Sequence, residues 1–188
     1  MQKPDTVRGW NTVRDYASNG VPLPVLLHQR HYGGAFRQLL DATSTNPGEV
    51  IEEALEELLL ASRIPHIRTG SHNQATIETR YGLTVKPAPD FLCHDGSDNL
   101  RAMVECKGAN DGGTARDKAA RFRSLRQESM RLGGVPLFAV IAGLGWRRTT
   151  DALGPVIRDT DGRTFTLANL SSMLTVEPLP SLRGVGGR

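Results

Sequence analysis

The chain has 188 residues, 38% hydrophobic and 23% charged, with a formal net charge of +3. That size suits one folded domain with short appendages, and the mildly basic balance permits a nucleic-acid partner without requiring one. No apolar run approaches the ~20 residues of a membrane-spanning helix. The two cysteines, Cys93 and Cys106, form no disulfide framework or metal-ligand spacing. The opening MQKPDTVRGW has no apolar leader segment, so a cytoplasmic protein is expected.

In chain order, Asp5 caps a predicted short helix to about Ser18, with Val7, Trp10, Val13 and Ala17 on one stripe. Pro22 and Pro24 keep the next stretch extended, and GAFRQLLDAT reads as a second short helix. His28 and His31 lie between them without the further ligands that a zinc site needs. The clearest helix starts at Asn46-Pro47-Gly48-Glu49, which reads as a cap, a proline at the first helical position and a capping-box acid. It continues through VIEEALEELLLASR, where Ile51, Ala54, Leu55, Leu58 and Ser62 share a face.

PHIRT is a strand candidate, TGSHNQATIETR a polar loop and LTV a strand or strand edge. PDFLC and LRAMVECK are predicted as paired strands around the turn HDGSDN. NDGGT is a loop, and ARDKAARFRSLRQESMRLG a long helix with Ala119, Phe122 and Leu125 on its buried stripe. Its polar side carries Arg116, Lys118, Arg121, Arg123, Arg126 and Arg131, with Asp117 and Arg121 spaced as an i,i+4 pair. VPLFAVIAGLGW reads as a buried strand, GPVIRD, GRTFTL and LSSMLTV as short elements, and PLPSLRGVGGR as a flexible tail. The fold class is α/β: a central mixed β-sheet flanked by helices, in the order αβββαβ. The expected organisation is a helical or irregular extension over 1–47, a core over 48–177 and the tail over 178–188.

Strand alternation puts Leu100, Ala102, Val104 and Cys106 on one face of LRAMVECK, and Arg101, Met103, Glu105 and Lys107 on the other. The plain reading of Glu105 and Lys107 is an exposed ion pair on a half-solvated sheet, contributing about 0–1 kcal/mol. A hairpin through HDGSDN, however, brings Asp90 across from Glu105. Two carboxylates facing one spot call for a cation between them, and oxygen-only ligands suit Mg²⁺ or Mn²⁺. Lys107 would then stand beside the metal.

Pro89-Asp90 followed, fifteen positions after the aspartate, by Glu105-Cys106-Lys107 resembles the PD-(D/E)xK signature of restriction-endonuclease-like nucleases. The likeness extends to the element order over roughly residues 49–146. The GGTARDKAARF segment is similar to stretches of bacterial type II restriction enzymes. The resemblance implies a restriction-endonuclease-like core and a Mg²⁺-dependent DNA endonuclease, most like a type II restriction enzyme, leaving 5′-phosphate and 3′-hydroxyl ends. It implies Asp90 and Glu105 as metal ligands, the Cys106 carbonyl completing the shell, and Lys107 positioning the attacking hydroxide. The family adds an acid from the first helix. At about 100° per residue Glu52 borders the apolar face and Glu53 points away. Glu52 also precedes Leu55 and Leu59 at a spacing similar to that of archaeal junction-resolving members, so Glu52 takes that role.

Candidate DNA contacts are Thr114, Arg116 and Lys118, where Gly112-Gly113-Thr114 offers backbone N–H groups at a helix start, and His72, Asn73 and Gln74. Each also has a plain reading as a solvated helix face or a polar turn. Double-stranded DNA is the expected partner, and a homodimer would match a palindromic site, with Trp10, Tyr16 and Tyr32 as interface or core aromatics. The rival readings are another nuclease of this core (a junction resolvase, repair nuclease or nicking subunit), a non-catalytic DNA-binding subunit, and an α/β domain with a fortuitous motif.

Overall fold

Ile51, Leu55 and Leu59 recur every fourth residue and are fully buried along one stripe of helix α1 (Pro47–Ala61). The computed structural model describes residues 47–148 and 150–184. The Asn46 cap and the expectations for 1–45, including His28, His31, Trp10, Tyr16 and Tyr32, lie outside the described residues. The described residues belong to one compact unit. After α1 come β1 (His66–Arg68), α2 (Gln74–Tyr81), β2 (Phe91–His94), β3 (Leu100–Gly108), α3 (Gly112–Arg131), β4 (Leu137–Ala142), α4 (Gly145–Arg148), α5 (Thr150–Asp159) and β5 (Thr164–Phe165). A 3₁₀ segment (Leu167–Thr175) and α6 (Leu179–Leu182) follow. None of the helices described is long and apolar enough to cross a membrane.

The fold is α/β with one five-stranded mixed sheet in the order β1-β2-β3-β4-β5. The β1–β2 and β2–β3 pairs are antiparallel, and the β3–β4 and β4–β5 pairs are parallel. Alternate residues feed two cores. Phe91, Cys93, Ala102, Val104, Cys106, Phe138 and Val140 pack under α1, the 3₁₀ segment and α6. Leu92, Met103, Leu137, Ala139 and Ile141 pack under α2, α3 and α5. Helices on both faces let the middle of the central strands be apolar on both sides.

This overturns the half-solvated face expected for β3: Met103 and Glu105 are buried beneath α3. Leu100 also changes side. The register shifts between Cys93 and His94, so His94 pairs with Leu100 and Arg101 becomes the extra residue. One extra residue moves everything before it to the opposite face, and Leu100 joins the Met103 core.

Three other expectations change. TGSHNQATIETR is not all loop, because Gln74–Tyr81 form α2, closed by Gly82 in the left-handed region at φ 67°. Only Ile77 of that helix is buried, so it carries no apolar periodicity to recognise. LTV forms no strand: Leu83 inserts into the core while Glu128 of α3 accepts the Thr84 N–H at 2.6 Å. The expected tail from 178 instead forms α6, whose Leu179 and Leu182 are buried in the α1-side core.

Glu128 anchors the segment leading to β2. It accepts from the backbone and hydroxyl of Thr84 and from Arg131, which also donates to the Gly82 carbonyl. Bonding to Arg131, with the Thr84 donors, holds the Glu128 carboxyl down at about 2 against the opposing effect of burial. A depressed carboxyl contributes stability above its unfolded value, lost as pH falls through its folded value. The expected loss therefore spans pH 4.5 down to about 2. Glu128→Gln should be less stable than the parent at neutral pH, with the gap closing across that window in pH-resolved urea unfolding. Leu179→Ala should cost about 2–5 kcal/mol in the same measurement, because it opens a cavity in a filled core.

Candidate active site

The β2–β3 ladder ends at Phe91↔Val104. Beyond it, the Cys106 N–H is met by a side chain: Asp90 Oδ2 accepts it at 2.7 Å. The segment bearing Asp90 is tied down on all sides. Thr69 donates its hydroxyl to Pro89 O at 2.7 Å and its N–H to Asp90 O at 2.9 Å. Gln74 Oε1 accepts the Ala88 N–H at 2.7 Å, and Arg121 donates to Pro87 O at 2.6 Å. Asp90 thus reaches β3 with little freedom.

On β3, Glu105 and Lys107 project to the α3 side, as alternation requires. Lys107 Nζ lies 2.7 Å from Glu105 Oε1, 2.9 Å from the Cys106 carbonyl oxygen and 3.2 Å from Asp90 Oδ2. Asp90, Glu105, Cys106 and Lys107 therefore converge around one point, with the ammonium at its centre. The Glu105 side chain is 2% exposed, and its Oε2 is buried without a hydrogen-bond partner. Burial, then the charge of Asp90, raises the Glu105 carboxyl above its ordinary range, while Lys107 and Arg121 pull it down. Burial works to lower the Lys107 amine, but Glu105 and Asp90 outweigh it and hold the amine above its usual value.

Arg121 is the contributor that sequence reasoning missed. Sequence spacing offers it Asp117 as an i,i+4 partner. Instead its Nε donates to Glu105 Oε1 at 3.0 Å from a side chain only 17% exposed. Its position on α3, one turn before Leu125 and beside Phe122, was the available signal. Trp146 was also unforeseen: its buried indole N–H donates to Lys107 O at 3.2 Å. The turn carrying it presses against the turn after β3. A Cβ on Gly143 would overlap the Ala109 carbonyl oxygen, and one on Gly145 the Asp111 oxygen.

Glu52 does not join this cluster. It bonds to Arg68 at 3.0 Å, alongside Glu56 at 2.7 Å. Its charge contributes, after burial and Asp90, to the raised Cys106 thiol, which packs in the α1-side core. Glu52 therefore approaches β3 from the face opposite Glu105 and Lys107.

The DNA-contact candidates have intramolecular partners. Asp111 caps α3 by accepting from the Thr114 N–H at 2.9 Å and its hydroxyl at 2.7 Å. Gly112 and Gly113 lie in the first helical turn, so the helix start expected to attract phosphate already holds a carboxylate. Arg116 pairs with Asp151 at 2.8 Å, and Lys118 donates to Gly108 O, next to Lys107. Asn73 bonds to the backbone of Gly70 and Arg68, and Gln74 to that of Gly70 and Ala88, while His72 is exposed.

No group of three His, Cys, Asp or Glu side chains forms a metal cluster among the described residues. The set present is two carboxylates and a backbone carbonyl around a point already occupied by a cation. Together with the orphaned Glu105 Oε2, that hard-oxygen set fits Mg²⁺ or Mn²⁺. Arg121→Gln removes one of the two cations restraining Glu105. Its carboxyl should then hold a proton to higher pH than in the parent, as read from the ¹³C carboxyl titration; an unchanged midpoint would refute the pairing. No family model, curated protein or solved structure matches the chain.

Proposed function

We propose that the chain is a divalent-metal-dependent DNA endonuclease with a restriction-endonuclease-like core, acting on duplex DNA as a type II restriction enzyme. One observation carries the reading: Asp90, Glu105 and the Cys106 carbonyl surround a single cation position, and Lys107 is the group that reaches it. Asp90 and Glu105 are the metal-holding carboxylates, with Cys106 O as the third oxygen. When bound, Mg²⁺ or Mn²⁺ acidifies water and offsets negative charge building on the phosphoryl oxygens.

The chain's own groups do the remaining work. The Cys106 N–H on Asp90 Oδ2 fixes one carboxylate with respect to the strand that carries the other. Arg121 orients Glu105 by donating to Oε1, the same oxygen that Lys107 meets. Lys107 stays protonated at neutral pH and so places a positive charge and hydrogen-bond donors where a scissile phosphate and its attacking water would meet. Glu52, on the α1 side of β3, would act as a supporting acid only from around the strand end and only after giving up its bond to Arg68. Lys118, bonded to Gly108 O at the strand end, and Arg116, once released from Asp151, would bring positive charge towards a DNA backbone, while His72 extends from the loop before α2. A homodimer would present two such centres to a palindromic site.

The test is incubation of a long linear duplex with the full chain and Mg²⁺, followed by mapping of the ends. Discrete fragments with 5′-phosphates are expected. Asp90→Asn, Glu105→Gln and Lys107→Ala should each lower the rate by about 10²-fold or more. Cleavage confined to branched or nicked substrates would favour a resolvase or repair nuclease. DNA binding that persists without cleavage under any divalent cation would favour a non-catalytic subunit.

A further inference from the structure

Lys107 stands at the centre of the oxygens assigned to the metal. Its Nζ is 2.7 Å from Glu105 Oε1, 2.9 Å from Cys106 O and 3.2 Å from Asp90 Oδ2. A Mg²⁺ ion needs its oxygens at about 2.0–2.1 Å. An ammonium nitrogen and a divalent ion cannot share one set of three oxygens, and their like charges repel. We infer that Lys107 is a tethered competitor for the metal: the divalent ion enters by displacing the ammonium, so the amine is free to meet a phosphate only when the ion is in place. This rests on the metal-dependent reading above and adds an order of events to it.

The surroundings permit such an exchange. The Lys107 side chain is 23% exposed and its stem is flexible, so a path outward exists. The ligands do not depend on the ammonium for their placement. Asp90 keeps the Cys106 N–H, Glu105 keeps Arg121, and Cys106 O is fixed by the strand. With Arg121 retained, two carboxylates and one fixed cation leave one net negative charge for the incoming ion. Lys107 is also set apart from the other lysines described. Lys86 pairs on the surface with Glu78, and Lys118 donates to a carbonyl.

The experiment is Mn²⁺ titration of the full chain, followed by calorimetry and by the electron-spin signal of free Mn²⁺, in the parent, Lys107→Met, Arg121→Gln and Lys107→Met/Glu105→Gln. If the ammonium holds the position about nine-tenths of the time, apparent affinity is reduced about tenfold, and Lys107→Met should recover that factor. Binding should vanish in the double variant. Equal affinity in parent and Lys107→Met, or weaker binding in the variant, overturns the competition and leaves the metal reading standing. Equal tightening in Arg121→Gln also overturns it, because a general charge effect then suffices. No Mn²⁺ binding in any variant overturns both inferences. The parent alone supplies a second reading if Lys107→Met does not fold. In ¹⁵N-lysine-labelled protein, whose four lysines give a simple spectrum, Mg²⁺ should shift the Lys107 Nζ resonance strongly. An Nζ resonance that stays put while Mg²⁺ binds overturns the displacement.

Discussion

The hydrogen bond from the Cys106 N–H to Asp90 Oδ2 is the contact on which the site depends. It forms one step beyond the last β2–β3 pair, where a ladder would otherwise leave a donor unmatched. Using a carboxylate to finish the ladder satisfies the backbone and, in the same stroke, brings an acid from one strand onto the flank of the next. The tethers to Thr69, Gln74 and Arg121 hold the approach to Asp90 and so keep that bond in register.

Charge balance follows from this placement. Two carboxylates close together in a mostly buried setting cannot both stay ionised without cations, and Lys107 and Arg121 supply them. The two cations are not equivalent. Arg121 is bound to a rigid helix and bonds also to Pro87 O, so it is structural. Lys107 sits on a flexible stem and meets Glu105 Oε1, Cys106 O and Asp90 Oδ2 together. Burying Glu105 with one oxygen unpartnered is unfavourable for folding by itself, the kind of local cost that a functional site retains.

Much of this could be seen in the sequence because the two periodicities involved are short. Alternation alone places Glu105 and Lys107 on one side of β3, and the polar turn HDGSDN implies the antiparallel pairing that brings Asp90 across. The α1 and α3 stripes followed from apolar spacing for the same reason. What escaped were choices between a near partner and a distant one. Arg121 has Asp117 four positions away in the sequence, yet bonds to Glu105 because the α3 face meets the sheet there. Glu52 looked like a site acid, but Arg68 stands over Phe91 and captures it with Glu56. α2 was invisible because a helix with one buried residue has no pattern, and Leu179 because two apolar residues among prolines resemble a tail.

The two glycines after β4 bear on how this edge of the sheet behaves. Gly143 and Gly145 let the β4 turn lie directly on the backbone of Ala109 and Asp111, and the Gly145 N–H donates to Ala109 O at 2.8 Å. The exits of the two parallel strands are thereby welded into a single rim, with the Trp146 indole as a further rivet on Lys107 O. A rim so joined does not gape by shearing one strand past the other. With the segment that bears Asp90 tethered as well, whatever yields at this edge is side chain rather than backbone.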